Sequence, residues 1–286
     1  MLSSARALLD GRFERPVFQD PAKFHLMPQA KRTHKVSNSR GVFVTGTDTG
    51  VGKTVVTAAL AVALRTHGYG VGVMKPIETG VLSSTDTRSD AVRLHAAAGS
   101  GDALSVMRPY VFRLPLAPID AARHEKITIA LPTIARAFRT LRSRHDMLLV
   151  EGVGGVFVPI TPLFKVSDLI YKMKLPAIVV GRASLGGINH TLLTLEALRQ
   201  RKITVLALVL NRTLPTQTVT AQQQEGSTQR LLRQLVDIPV IGPLPYHPRL
   251  ERNFQSEVAR LARTTAIRNL MKLVLASERG MISRPG

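Results

Sequence analysis

Residues 46–54 read Gly46-Thr-Asp-Thr-Gly-Val-Gly52-Lys53-Thr54, between a β-branched run that ends at Thr45 and an apolar, Ala-rich stretch of helical character. Glycines at a strand-to-helix turn let backbone N–H groups wrap phosphate oxygens, and the helix N-terminus adds positive potential. In this reading Lys53 reaches the β- and γ-phosphates of a nucleotide, and the Thr54 hydroxyl becomes a ligand to Mg²⁺. The common form of the motif places four residues between its glycines, whereas Gly46 and Gly52 enclose five.

Outward from this loop, short β-branched runs alternate with helical stretches from Gly41 onward, the pattern of a parallel sheet with crossover helices. Strands are expected at 42–45, 71–75, 146–151, 177–181, 205–211 and 240–242. Helices are expected at 53–67, 89–98, 131–144, 189–201, 227–235 and 256–276, the last with Val258, Leu261, Leu270, Val274 and Leu275 on one stripe. Residues 215–227 are polar enough to read as a mobile loop. The fold class expected is therefore α/β, a P-loop NTPase-like, mostly parallel sheet with helices on both faces, forming a single domain over 41–280.

Two more strand ends carry chemistry. Lys75-Pro-Ile-Glu-Thr79-Gly80 follows the second strand, at the edge where ligands of open α/β sheets collect, so Lys75 is expected to face the γ-phosphate and Thr79 a small molecule. Val150-Glu151-Gly152-Val153-Gly154-Gly155 ends another apolar strand with an acid followed by glycine-exposed backbone. Magnesium takes hard oxygen ligands and keeps waters, so Thr54 with one or two carboxylates is the expected site. Glu151 is the first carboxylate and Asp90 the second, although an acid that opens a helix also has an ordinary electrostatic place there. His190, after a strand and before a helix, reads as a hydrogen-bonded structural residue. Asn211 offers an amide to an adenine edge, and Gly242-Pro-Leu-Pro245 a wall to the base pocket.

Composition sets the limits. With 286 residues and 44% hydrophobic content the chain is long enough for one large core. The absence of cysteine removes thiolate metal sites, disulfides and cysteine nucleophiles. Apolar runs are short, so no membrane span is expected. The formal charge of +20 invites a nucleic-acid reading. The basic residues, however, are spread along the chain with no aromatic interleaving, and no nucleic-acid partner is expected. Residues 1–40 are basic, aperiodic and expected to be a disordered extension; Asp10, Glu14 and Asp20 speak against a transit peptide.

Taken in order, these segments resemble the ATP-dependent dethiobiotin synthetase family over roughly residues 41–250. The resemblance rests on Gly46–Thr54 with its extra residue, on 75–80, on 150–155 with Val153 in place of Ala, on 185–190, and on the strand that ends in Asn211. It implies that CO₂ is joined to 7,8-diaminononanoate with ATP, giving dethiobiotin, ADP and phosphate. It further implies an ATP site made by Gly50, Val51, Gly52, Lys53, Thr54, Val55, Asp90, Glu151, Gly152, Val153 and Gly154, with Asn211, Arg212, Pro245, Tyr246 and His247 around adenine. Thr54, Asp90 and Glu151 would hold Mg²⁺, Thr79 would hold substrate, and Lys75 and Lys53 would be catalytic. A cytoplasmic homodimer is the implied setting. Where family members often carry Ser/Ala-Pro-His, this chain reads Ala117-Pro118-Ile119-Asp120, a change in the diamine pocket.

Two relatives of the same fold compete with that reading. A cobyrinate-type amidating enzyme needs a cysteine nucleophile, which this chain lacks. A partitioning or septum-positioning switch ATPase uses a lysine early in the loop, where Asp48 stands here.

Overall fold

The computed structural model describes residues 41–83 and 86–278, so the expectations for residues 1–40 lie outside the described residues. The elements in chain order are β1 (Gly41–Gly46), α1 (Lys53–Thr66), β2 (Val71–Met74), β3 (Ile77–Thr79), α2 (Asp90–Ala98), α3 (Leu104–Met107), β4 (Tyr110–Phe112), α4 (Pro118–His124) and α5 (Leu131–Arg144). They continue with β5 (Met147–Gly155), β6 (Pro159–Thr161), β7 (Phe164–Lys165), α6 (Val166–Met173), β8 (Ala177–Arg182), α7 (Gly187–Gln200), β9 (Val205–Asn211), α8 (Val219–Leu235), β10 (Val240–Leu244), α9 (Phe254–Ala262) and α10 (Thr265–Glu278).

Six strands form one sheet in the order β10-β9-β8-β1-β5-β2, every pair parallel. Strands buried on both faces read as continuous apolar runs, and Val42, Val44, Leu148, Val150, Val179 and Leu208 are all fully buried. Parallel pairing brings the carboxyl ends of β1, β2 and β5 to one edge, side by side. At that edge the β1–β5 register slips: Val44 faces Glu151 but Gly46 faces Gly155, so β5 carries two surplus residues. Such a bulge re-aims backbone next to a site, and here it leaves Gly152–Gly154 free of the ladder.

Helix α1 enters directly from the phosphate-type loop and is apolar almost all round, with ten of its fourteen residues buried. A helix of that kind belongs inside the molecule, and α1 packs against β1, β2, β5, α2, α9 and α10. Right-handed crossovers put α1 on one face of the sheet and α7 with α8 on the other, while α9 and α10, which follow the last strand, pack against α1. Leu60, fully buried on α1, fills space that the surrounding alanines cannot. Leu60→Ala is expected to lower unfolding stability by about 2–5 kcal/mol, read from urea titration, by lost transfer free energy and a residual cavity.

All six expected strands form, β9 with the expected bounds and the others with ends moved by at most four residues. Two helical expectations need correction. The segment 215–227 is not a loop throughout: α8 starts at Val219, eight residues before the expected 227, because the Thr218 hydroxyl accepts from Ala221 N and caps it. The expected helix 256–276 is two helices, α9 and α10. The Thr264 hydroxyl donates to Leu261 O and accepts from Ile267 N at the break, ending one helix and starting the next. Among the described residues no helix is long and apolar enough to cross a membrane.

Candidate active site

Gly52, at φ +98°, is the N-cap of α1, which has neither a capping side chain nor an acid in its first turn. The first N–H groups of this helix therefore face outward with their positive end uncompensated, the arrangement that receives an anion. Lys53 folds back along the loop, its Nζ donating to Asp48 O at 2.9 Å. Burial, then the nearby Lys75 ammonium, pulls the Lys53 pKa down to about 8.

The start of α2 and strand β5 meet at Thr54. Its Oγ1 lies 2.8 Å from Asp90 Oδ1 and 2.8 Å from Glu151 Oε1. One hydroxyl has one hydrogen, so it can donate to only one of these two oxygens at a time. Positive charge comes from Lys75, whose Nζ lies 2.6 Å from Asp90 Oδ2, 2.5 Å from Glu151 Oε1 and 3.3 Å from Gly152 O. Burial alone would lower the Lys75 pKa; the two carboxylates outweigh it and hold the ammonium far above its ordinary range. Burial would likewise raise Asp90, but Lys75 and the Thr54 hydroxyl bring it below the usual carboxylate range. Glu151, fully buried, is pushed up by desolvation.

This donor set fits a divalent cation. It consists of hard oxygens, and the buried Glu151 Oε2 has no hydrogen-bond partner. Mg²⁺ ordinarily takes one or two carboxylates with phosphate and water completing its shell, and two carboxylates with one hydroxyl stand here.

A cleft of about 760 Å³ runs over these groups and takes in Gly50, Lys53, Thr54, Val55, Lys75, Asp90, Thr79, Val153 and Gly154, together with Asn211, Arg212, Pro245, Tyr246 and His247. The expected phosphate, metal, substrate and base residues thus share one cavity of ligand size. Glu151, Val51 and Gly152 do not line it. Glu151 reaches the cleft through Thr54 and Lys75, Gly152 through its carbonyl, and Val51 has a fully buried side chain and a backbone carbonyl that accepts from Asn211.

Two residues expected at the base have other engagements. Asn211 Nδ2 donates to Val51 O at 3.0 Å, bracing the phosphate-type loop. Arg212 forms a bidentate pair with Glu225, at 2.5–2.9 Å, which raises the arginine pKa and lowers that of the acid. His247 Nδ1 lies 2.9 Å from Glu257 Oε2, and His190 is exposed on α7.

Sequence reasoning also passed over side chains that matter. Arg182, just past the expected strand 177–181, donates to Thr49 O at 3.2 Å and approaches Asp48 Oδ2 at 3.5 Å, holding the loop tip to β8. Glu78, inside the quoted 75–80 run, is buried and bonded to the start of α2. Pro115 and Leu116 line the cleft, and only the proline-rich 114–118 run hinted at them.

Fold and site together define a P-loop nucleotide-binding enzyme. A family model described as an AAA domain matches residues 40–253, and the ATP-dependent dethiobiotin synthetase of Thermodesulfovibrio yellowstonii is 43% identical over 228 residues, covering 77% of this chain and 94% of that protein. The chain belongs to the ATP-dependent dethiobiotin synthetase family. The enzyme of that name from Anaeromyxobacter sp. strain Fw109-5 is 47% identical over 177 residues, 62% of this chain and 78% of the relative. Among solved structures, the MinD cell division protein of Aquifex aeolicus superposes with a TM-score of 0.50 at 16% identity, over 86% of this chain and all of that one, a likeness of fold alone.

Proposed function

We propose that the chain catalyses ATP-driven ring closure of 7,8-diaminononanoate with CO₂ to give dethiobiotin, ADP and phosphate, a ligase step of biotin biosynthesis. The observation that carries this reading is the meeting of Lys75, Thr54, Asp90 and Glu151 beside the glycine loop, in a cleft that continues to Thr79.

One amine of the substrate adds to CO₂ to form a carbamate. A carbamate oxygen takes the γ-phosphoryl group and ADP leaves; the second amine then attacks the mixed anhydride, closing the ring and expelling phosphate. Phosphoryl transfer requires positioning and charge neutralisation more than covalent assistance. Lys53 faces the β- and γ-phosphates, and Lys75 stabilises both the carbamate anion and the moving phosphoryl group. Thr54, Asp90 and Glu151 hold Mg²⁺, which supplies further neutralisation of the triphosphate. The backbone of residues 50–55 and 152–154 cradles phosphate, and Thr79 hydrogen-bonds substrate. Pro245, Tyr246 and His247 border adenine, while Asn211 and Arg212 shape that border through the loop and helix they hold. We read 41–280 as one ligase domain and residues 1–40 as an extension, and we take the working form to be a cytoplasmic homodimer.

Incubation with the diamine, bicarbonate and Mg-ATP, followed by mass spectrometry, tests this. Ring-closed product is expected only when ATP and bicarbonate are both supplied. Rapid ATP hydrolysis without diamine, and no product with it, would instead mark a switch ATPase.

A further inference from the structure

Glu78, Ser89 and Arg108 form a buried cluster with no part in the chemistry above, each exposed by no more than 5%. Glu78 Oε1 accepts from Asp90 N at 2.5 Å. Its Oε2 accepts from Arg108 Nη1 at 2.8 Å, Ser89 Oγ at 3.0 Å and Ala91 N at 3.4 Å. Arg108 Nη1 also donates to Ser89 Oγ at 2.7 Å.

These contacts decide between two roles. Glu78 lies at the cleft wall and at first sight offers a third carboxylate to a cation. Three donors converge on Oε2 and the Asp90 amide takes Oε1, so Glu78 is engaged chiefly within the protein. The opening turn of α2 is what it holds. Ser89 is the N-cap, yet its own cap bond to Val92 N is long, at 3.5 Å, because its hydroxyl is turned to Glu78. The Glu78 carboxylate therefore serves as the cap, at the helix end where negative charge is favoured. Arg108 neutralises the added negative charge so close to Asp90 and Glu151. Asp90, the first residue of the helix, is fixed between Glu78 on its amide and Lys75 on its carboxylate.

We infer that Glu78, backed by Ser89 and Arg108, is a positioning residue that fixes Asp90 for the divalent cation and so sets the cation affinity of the site. This rests on the reading of Asp90 as a cation ligand given above. Groups bonded to a metal ligand commonly change metal affinity by about 10- to 100-fold when removed.

The test is Mn²⁺ binding to the ADP-bound full chain, followed by electron paramagnetic resonance, beside ADP binding in EDTA. In Glu78→Gln the Mn²⁺ affinity is expected to fall about tenfold or more, with ADP affinity in EDTA unchanged. Ser89→Ala, a milder change should Glu78→Gln fail to fold, is expected to weaken Mn²⁺ binding in the same direction. Unchanged Mn²⁺ affinity in a folded Glu78→Gln overturns the inference, as does an equal loss of ADP binding in EDTA. Asp90→Asn separates the two readings: if it binds Mn²⁺ normally the cation assignment itself falls, and if it alone loses Mn²⁺ only the positioning role falls.

Discussion

Lys75→Ala is expected to reduce turnover by about 100- to 1,000-fold, the scale for removing one charge-stabilising donor from a transition state, while leaving ATP affinity nearly unchanged. The reason lies in where the ammonium sits: its partners are Asp90, Glu151 and Gly152 O, whereas the glycine loop has its own lysine in Lys53. Single-turnover assays with a fluorescent ATP-binding control check it, and near-normal rates would remove Lys75 from the mechanism. The variant has a second signature. Glu151 is fully buried and already pushed up by desolvation, and without Lys75 it loses its nearest positive charge. A carboxyl whose folded pKa is raised above its unfolded value contributes stability at low pH and loses it as pH climbs through the folded value. The melting temperature of the cation-free variant should therefore fall as pH rises above the ordinary carboxylate range, because the buried carboxylate must ionise.

Gly52→Ala is expected to be nearly as damaging, but to binding. At φ +98° a Cβ is strained, and it would sit 2.1 Å from Asn211 Nδ2, an atom tied to Val51 O. A strained backbone of this kind costs on the order of 1–3 kcal/mol before any clash is counted, and 1.4 kcal/mol corresponds to about tenfold in affinity. Calorimetric titration with ATP is expected to show at least a tenfold loss. The double variant Gly52→Ala/Asn211→Ala removes the collision but not the strain, and should recover only part of it; full recovery would show the φ angle to be irrelevant.

How much was legible depended on what each signal reports. Buried parallel strands are β-branched runs bounded by breakers, so β1, β2, β5, β8, β9 and β10 could be read directly, and chemistry at their carboxyl ends followed from the fold class. Periodicity failed where it carries no information. Gln222-Gln-Gln-Glu-Gly226 shows no apolar stripe, so the first turns of α8 looked like loop. The stripe through Val258 and Leu270 continues across Thr264, so the break between α9 and α10 was invisible. At the site, the expected residues that the fold brings together are those whose chemistry is carried by residue type beside glycines. Those missed act through long-range pairing. Nothing local in the sequence tells that Glu78 meets Arg108, that Arg182 reaches back to Thr49, or that Glu225 draws Arg212 aside.

Asn211 and Arg212 are consecutive at the tip of β9, one gripping the glycine turn through Val51 O and the other helix α8 through Glu225, and both line the cleft along with Pro245. On the function proposed above, a misfit at the nucleobase would pull on that strand tip and so be felt at the turn that receives the triphosphate. Discrimination among nucleotides should accordingly surface as altered phosphoryl-transfer rate as well as altered occupancy.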